Sequence, residues 1–213
     1  MLEKLPSAIG HALHHRRAGL EKISFNQIDL RAGTASLQLT SLAFGDHEAM
    51  PARFTADGEG TSPPLEWTGV PVEAVSLALI VEDADAPTPQ PLVHAIAVDL
   101  PPHDSTLTEG ALDSKELEGQ VGRNSYLLTG WLPPDPPPGH GVHRYAFQLF
   151  ALEEGPPFSG TPGRDALMKA IQERAIASGC LIGTYERPDG SIKVGTGATA
   201  AAAATGSSEA NSI

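Results

Sequence analysis

The chain has 213 residues and a formal net charge of -12 at pH 7. Such a charge repels nucleic-acid phosphates, and the basic cluster at residues 14–17 is too short to offset it, so we do not expect nucleic acid as a partner. The 22 glycines and 19 prolines favour many turns between short strands over a bundle of long helices.

The N-terminal residues carry an apolar pattern with helical spacing. Leu5, Ile9 and Leu13 recur within residues 2–20, which predicts an amphipathic helix packed on the domain; a helix for a membrane or a partner is the alternative. Charged and histidine residues interrupt the pattern, so neither a signal peptide nor a membrane span is expected, and the expected location is the cytoplasm. We interpret residues 1–35 as an N-terminal, helical extension.

The remaining pattern predicts a mainly β domain over residues 36–194. Strands are expected at residues 36–42, 75–82, 93–100, 143–152 and 181–186, and a helix at residues 165–178. The proline-rich connections between the strands argue against a doubly wound fold and favour an antiparallel β-sandwich with peripheral helices. Residues 195–213 are rich in Ala, Gly and Ser, which predicts a disordered tail.

Acidic and imidazole side chains stand at the ends of three predicted strands. They are Asp83, Asp85, His94, His140 and His143. A carboxylate favours the charged form of a neighbouring imidazole, and imidazoles held in this way can bind an anion. We therefore expect Asp83, His94 and His143 to converge in one pocket. The alternative is that the aspartates only hydrogen-bond their turn and that the histidines are ordinary residues at strand edges.

The sequence gives weaker signals for a catalytic site or a metal site. Cys180 is the only cysteine, which excludes an internal disulfide and a cysteine-based zinc site, and its apolar neighbours favour a small buried residue. Ser62 lacks the turn motif that exposes a nucleophile. An Asp/His metal site is the enzyme-like alternative, built from Asp83, His94, His140 and His143. We expect neither a metal nor a cofactor.

Five motifs follow one another in an order that is typical of one protein family. They are residues 57–67, residues 83–87, His94, residues 122–124 and residues 139–145. In this order they resemble the phosphatidylethanolamine-binding protein family, in particular its bacterial, Raf-kinase-inhibitor-like branch. The resemblance covers residues 44–187 and does not explain the N-terminal segment or the tail.

The resemblance implies a Greek-key β-sandwich with a small pocket for phosphate, acetate-sized anions or phospholipid head groups. The pocket residues it implies are Asp83, Asp85, Pro87, His94, His143 and Tyr145. The expected function is non-catalytic binding of small anionic or phosphorylated ligands, with a regulatory role towards a protein partner. A kinase or protease inhibitor with a vestigial pocket and an Asp/His-dependent hydrolase are the alternatives, and a homodimer stays open.

The chain departs from the family pattern near the proposed pocket. Leu92 and Val93 stand where an aromatic residue is usual. Pro133 lacks an N–H and Asp135 adds a carboxylate, so both are expected to weaken anion binding.

Two expectations concern the pocket's conformation and its charge. We expect a cis Ala86–Pro87 peptide bond that aims Asp83 and Asp85 into the pocket. We also expect anion binding to strengthen as the pH falls, because Asp83 would help to keep His94 and His143 charged.

Overall fold

The computed structural model describes residues 6–28, 35–113 and 117–188. The helices in these ranges are α1 (Ser7–Leu13) and α2 (Arg164–Arg174). The strands are β1 (Ala35–Ser36), β2 (Gln38–Thr40), β3 (Glu48–Ala49), β4 (Leu65–Thr68), β5 (Ser76–Asp83), β6 (Leu92–Leu100), β7 (Ser105–Leu107), β8 (Gln120–Val121), β9 (His143–Leu152) and β10 (Ala175–Tyr185). The predicted mainly β class is confirmed.

Within the described residues the strands form two sheets. The larger sheet has seven strands in the order β1-β10-β9-β5-β6-β8, with β3 also paired to β10, and the smaller sheet has the order β2-β4-β7. The long strands pair antiparallel, as predicted, but β1 and β3 run parallel to β10. The larger sheet is therefore mixed, and its parallel pairs are confined to two strands of two residues each, β1 and β3. The Greek-key connectivity stays a prediction.

Both faces of the central strand β5 are buried. Leu79 belongs to an apolar cluster that also contains Trp67 of the smaller sheet, whereas the next residue, Ile80, belongs to a second cluster that includes Ile171 of α2. A strand that is covered on both faces needs a continuous apolar run, which explains why residues 77–81 do not alternate with polar residues.

The predicted long strands agree well with the structure, but the predicted helix at residues 165–178 is too long. β5, β6 and β9 match their predicted ranges to within one residue. α2 ends at Arg174, and β10 begins at Ala175, six residues before the predicted start. Pairing with β9, which brings Ala177 opposite Ala151, outweighs the helical spacing of the apolar residues in this stretch.

The N-terminal helix is shorter than predicted and contacts the domain differently. α1 spans only Ser7–Leu13, and Ile9 of the predicted apolar face is 41% exposed while Gly10 is buried. Residues 1–5 and the predicted tail at residues 195–213 lie outside the described ranges, and the domain boundaries stay a prediction. In the described ranges no helix has the length and hydropathy that crossing a membrane requires.

A buried carboxylate connects the central strand to α2 and to the N-terminal segment. Glu82 of β5 is fully buried and accepts hydrogen bonds from the Ser24 N–H (2.6 Å), from Gln148 Nε2 (3.0 Å) and from Arg164 Nε (2.6 Å). A buried charge is tolerated only when it is paired and hydrogen-bonded, and these three donors meet that condition.

We predict that Glu82→Ala lowers the free energy of unfolding by about 3 kcal/mol, because it leaves Arg164 and a buried amide without their partner. Equilibrium urea unfolding measures the change. The control is Glu154→Ala, an exposed position where a change of no more than about 0.5 kcal/mol is expected. Equal effects of the two substitutions would contradict the role given to Glu82.

Candidate functional site

The polar residues predicted as a site come from three neighbouring strands. Asp83 is the last residue of β5, His94 is the third residue of β6 and His143 is the first residue of β9. Because β5 pairs with both β6 and β9, with Asp83 opposite Leu92 and Tyr145, these strands bring the three side chains to one end of the sheet. All three line one cavity of about 400 Å³, so the predicted convergence is present.

Apolar side chains and prolines form most of the cavity wall. Besides the three polar residues the lining consists of Ala56, Ala86, Pro87, Thr88, Leu92, Tyr126, Leu128, Leu132, Pro133, Asp135, Pro136 and Pro137. Prolines have no backbone N–H, so the wall at residues 133–137 offers few backbone donors. Recognition of a polar ligand therefore falls mainly to side chains.

Hydrogen-bonding groups face both ring nitrogens of His143. Its Nδ1 lies 2.8 Å from Asp83 Oδ2, and its Nε2 lies 2.7 Å from His140 Nδ1. His140 Nε2 in turn lies 2.9 Å from the carbonyl oxygen of Leu13. All three side chains are buried. His140, which the sequence left without a defined role, thus contacts His143 directly.

His94 presents an unpaired nitrogen. Its Nδ1 lies 2.6 Å from the Leu132 carbonyl oxygen, which can only accept, so Nδ1 carries a proton. Its Nε2 is buried and meets no hydrogen-bond partner among the described residues. Burial lowers the pKa of His94 by more than the Asp83 charge and the Leu132 carbonyl raise it. The ring is therefore neutral at pH 7, and the expectation that Asp83 keeps it charged is wrong, because desolvation outweighs the attraction.

Tyr145 lies against the two histidines without lining the cavity. Its ring centroid is 5.1 Å from that of His94, edge to face, and 6.3 Å from that of His143. The hydroxyl is buried and has no hydrogen-bond partner in the described part of the chain. Burial, with the nearby Asp83 charge, raises the pKa of the Tyr145 phenol well above its usual value, so the hydroxyl stays protonated.

Asp85 does not line the cavity, contrary to the prediction that it forms a wall with Asp83. Arg144 Nε and Nη2 donate to its carboxylate at 2.7 and 2.6 Å, and Arg17 Nη1 lies at 2.9 Å. Burial raises the pKa of Asp85, but the hydrogen bonds and charges of Arg144 and Arg17 outweigh it and the net shift is downward. The two arginines therefore draw this carboxylate away from the cavity.

The Ala86–Pro87 bond is trans, so the predicted cis bond is wrong. Asp83 is oriented instead by the Asp85 N–H, which donates to its Oδ1 at 2.8 Å, and by His143 at Oδ2. These contacts hold the turn in place, and Pro87 lines the cavity as predicted.

The charge of Asp135 at the cavity is offset by an arginine from beyond β10. Arg187 Nη1 lies 2.6 Å from Asp135 Oδ1, and Arg187 also pairs with Asp57. The repulsion between Asp135 and an anion, which the sequence predicted, is therefore reduced. Sequence reasoning missed Arg187, Arg17 and the Leu132 carbonyl, because each acts through a contact between remote parts of the chain.

Three further observations concern the residues of the catalytic alternatives. Among the described residues no group of three or more His, Cys, Asp or Glu is arranged to hold a metal ion. The Ser62 hydroxyl is buried and accepts the Leu112 N–H at 3.2 Å. Cys180 lines a different cavity, and burial raises the pKa of its thiol to about 12.

That second cavity is larger, about 590 Å³, and lies between the N-terminal segment, β2 and β10. Its lining includes Asn26 and Ser36, which stand on either side of residues 29–34, outside the described ranges. We place the candidate site in the smaller cavity, because Asp83, His94 and His143 line that one.

Comparison with models of known protein families shows to which family the chain belongs. Residues 40–186 match the family model described as phosphatidylethanolamine-binding protein. The chain belongs to the phosphatidylethanolamine-binding protein family. The resemblance stated from the motifs is thereby confirmed, while residues 1–39 lie outside the match.

Relatives and solved structures of this family agree. A protein of Methanothermobacter thermautotrophicus named "UPF0098 protein" is 39% identical over 153 residues, which cover 71% of this chain and 99% of the relative. A phosphatidylethanolamine-binding protein homologue from Chlamydia trachomatis superposes with a TM-score of 0.66 at 36% identity, covering 71% and 98% of the two chains. Escherichia coli YbcL gives a TM-score of 0.66 at 28% identity, covering 72% and 99%. The matched relatives are thus archaeal as well as bacterial.

We predict that Tyr145→Phe raises the free energy of unfolding by about 1 kcal/mol, because it removes a buried hydroxyl without a protein partner. Tyr185→Phe is the matched comparison. Its hydroxyl donates to Asp57 Oδ2 at 2.6 Å, so its removal is expected to cost about 1 kcal/mol. Urea unfolding of both variants measures the free energy of unfolding, which is expected to rise in Tyr145→Phe and to fall in Tyr185→Phe. A loss of stability in Tyr145→Phe would mean that the hydroxyl has a stabilising partner.

Proposed function

We propose that the cavity between Asp83, His94 and His143 binds a small anionic or phosphorylated ligand and does not transform it. The observation that carries the proposal is the unpaired His94 Nε2, a buried polar atom on a residue that lines the cavity. A buried polar atom without a partner costs free energy, and such atoms concentrate where a ligand supplies the missing hydrogen bond.

The charges around the cavity also support binding of an anion. Each carboxylate near it has a counter-charge or hydrogen-bond donor: Asp83 has His143, Asp85 has Arg144 and Arg17, and Asp135 has Arg187. The local field is therefore much closer to neutral than the net charge of -12 suggests. An anion entering the cavity meets compensated carboxylates.

Proton uptake by His94 would complete the recognition. In the free protein burial lowers the pKa of His94, so Nε2 is an acceptor. An anion placed next to Nε2 would raise that pKa, since the charged ring then gains a partner, and Nε2–H would donate to the ligand. Ligand and proton should bind together: affinity is highest below the pKa of the free protein and falls as the pH rises through the higher pKa of the complex.

Binding without catalysis agrees with the groups that surround the cavity. None of the described lining residues is a serine or a cysteine, and both nitrogens of His143 already face hydrogen-bonding partners. A hydrolytic reaction would need an activated nucleophile or a metal-bound water. We therefore rank the Asp/His-dependent hydrolase below the binding protein.

A regulatory role towards a protein partner is the second candidate, and the rim of the cavity favours it. Tyr126, Leu127 and Leu128 are 53%, 75% and 62% exposed, and Leu127 adopts a φ of 62°, which is unusual for a bulky residue. Asn124 fixes this loop, because its side chain accepts the N–H groups of Tyr126 and Leu128. Inhibition of a kinase or protease that survives His94→Gln but is lost in Leu127→Asp would move the function from the cavity to the rim.

We predict that inorganic phosphate and phosphoethanolamine bind more tightly at about pH 5.5 than at about pH 8, on either side of the ordinary histidine pKa of about 6.5. Isothermal titration calorimetry in two buffers of different ionisation enthalpy measures both the affinity and the proton uptake. His94→Gln should abolish the pH dependence and weaken binding at low pH by about tenfold or more. His103→Gln, an exposed histidine outside the cavity, is the control and should behave as the parent.

Two results would contradict this proposal. If the affinity does not change with pH, His94 does not take up a proton with the ligand. If His94→Gln binds phosphate as tightly as the parent, recognition lies elsewhere.

A further inference from the structure

The segment before β1 lies outside the family match, yet it contacts both loops that carry the site. Gly10 of α1 packs on the backbone at residues 138–140, where a Cβ would lie 2.0 Å from the Pro138 carbonyl oxygen. Arg17 donates to the carbonyls of Val142 (2.7 Å) and His140 (3.2 Å). The Ala18 and Gly19 N–H groups donate to the Ala86 and Ala84 carbonyls. We call residues 6–19 the N-terminal arm.

The arm ends a continuous chain of hydrogen bonds that reaches the cavity. The chain runs from the Leu13 carbonyl to His140, then to His143 and finally to Asp83, with successive distances of 2.9, 2.7 and 2.8 Å. Of its members, only Asp83 and His143 line the cavity. The arm therefore touches the site through two imidazoles and not through direct contact with a ligand.

The Leu13 carbonyl determines how many protons this series of hydrogen-bonded side chains holds. A carbonyl oxygen cannot donate, so His140 Nε2 must carry the proton that faces Leu13. Each of the two remaining junctions needs one more proton, because two bare lone pairs at these distances repel each other. Asp83, His143 and His140 therefore hold three protons in total. Two neutral imidazoles supply two of these protons, and with a carboxylate they carry a net charge of -1. The third proton makes the trio neutral. It lies either on a ring, which gives an imidazolium beside a carboxylate, or on Asp83, which gives a carboxylic acid beside two neutral rings.

Without the Leu13 carbonyl, a different arrangement becomes available. His140 can then move its single proton to Nδ1 and donate to His143, whose own proton on Nδ1 donates to Asp83. That state needs only two protons, and the trio carries a net charge of -1. The Leu13 carbonyl disfavours it, because it would face a bare lone pair of His140.

Other charged groups near the trio do not impose the same choice. Arg17 lies close to His140 and disfavours an additional positive charge there, and burial lowers the pKa of His140, assisted by the His143 and Arg17 charges. His94 faces the trio from β6 and is itself neutral, and Tyr145 faces it from β9 with its proton retained. The carbonyls of the arm, that of Leu13 and also that of Arg16, both raise the pKa of His140 and are thus the groups that select the tautomer.

We propose that the N-terminal arm is a positioning element of the ligand site, which holds the Asp83–His143–His140 trio electrically neutral through the Leu13 carbonyl and thereby keeps the cavity able to accept an anion. This inference rests on the proposed anion binding. Arg17 and Gly10 are the positioning residues, since they seat the arm on the loops without lining the cavity.

The test displaces the arm in the full-length protein. Gly10→Ala adds a methyl group against the Pro138 carbonyl, although alanine is otherwise favoured over glycine at a helix position. Gly163→Ala is the matched control, because a Cβ there meets nothing within 4 Å. Arg17→Ala is a second variant, which removes the two hydrogen bonds to the loop carbonyls and the Arg17–Asp85 ion pair, and leaves Arg144 on Asp85.

The first measurement is long-range proton–nitrogen correlation NMR of the histidine rings, which reads the tautomers without a ligand. The parent and Gly163→Ala should show His140 protonated at Nε2 and His143 protonated at the nitrogen facing it. In Gly10→Ala and Arg17→Ala, His140 should shift to the Nδ1–H tautomer. A parent in which His140 Nε2 lacks a proton, or variants with unchanged ring signals, would overturn the proposal.

The second measurement is titration with inorganic phosphate at pH 7. The two arm variants should bind about tenfold more weakly than the parent and the control, a typical coupling between separate sites. If the tautomer shifts but the affinity does not, the arm does not tune the site and the proposal fails. If the parent itself does not bind phosphate, the proposed function fails, and the ring signals alone then decide whether the arm sets the trio's charge.

Discussion

The site depends on the pairing of β5 with β6 on one side and β9 on the other. Both faces of β5 are buried, so a shift of one residue would exchange the side chains of its two apolar layers. The register is therefore fixed over the whole strand, and its last residue, Asp83, must lie beside the start of β9 and near the start of β6. The cavity forms where this core ends and polar side chains begin.

Burial at that end of the sheet makes charge compensation necessary. Glu82 and Asp85 are fully buried carboxylates, and each is held by an arginine from a distant part of the chain, Arg164 and Arg144 respectively. Because the cost of a bare charge rises as water is removed, these pairs must form together with the fold. Two uncharged polar atoms at the site, His94 Nε2 and the Tyr145 hydroxyl, have no hydrogen-bond partner among the described residues.

The N-terminal arm lies outside the region that matches the family model, yet it contacts the loops that carry the site. It meets the loops through backbone contacts at Gly10 and Gly139 and through the Arg17 side chain, so its seat needs little apolar surface. This explains why Ile9 can stay 41% exposed while the helix is still docked. The Leu13 carbonyl at the end of this helix lies 2.9 Å from His140 Nε2, and His140 in turn contacts His143 at the cavity.

Motif order in the sequence was enough to identify the family, and hydrophobic runs were enough to place β5, β6 and β9, because both signals lie in consecutive residues. The sequence also pointed to Asp83, His94 and His143 as one site, since strand ends of one sheet tend to meet. It failed at residues 175–178, where pairing with β9 outweighs local helical spacing, and at Pro87, where the peptide bond has the ordinary trans form. Only the tertiary structure decided that His94 is neutral, that Arg187 offsets the charge of Asp135 and that Asp85 pairs with Arg144 instead of lining the cavity. Desolvation and ion pairing depend on residues that are remote in the chain and meet only when it folds.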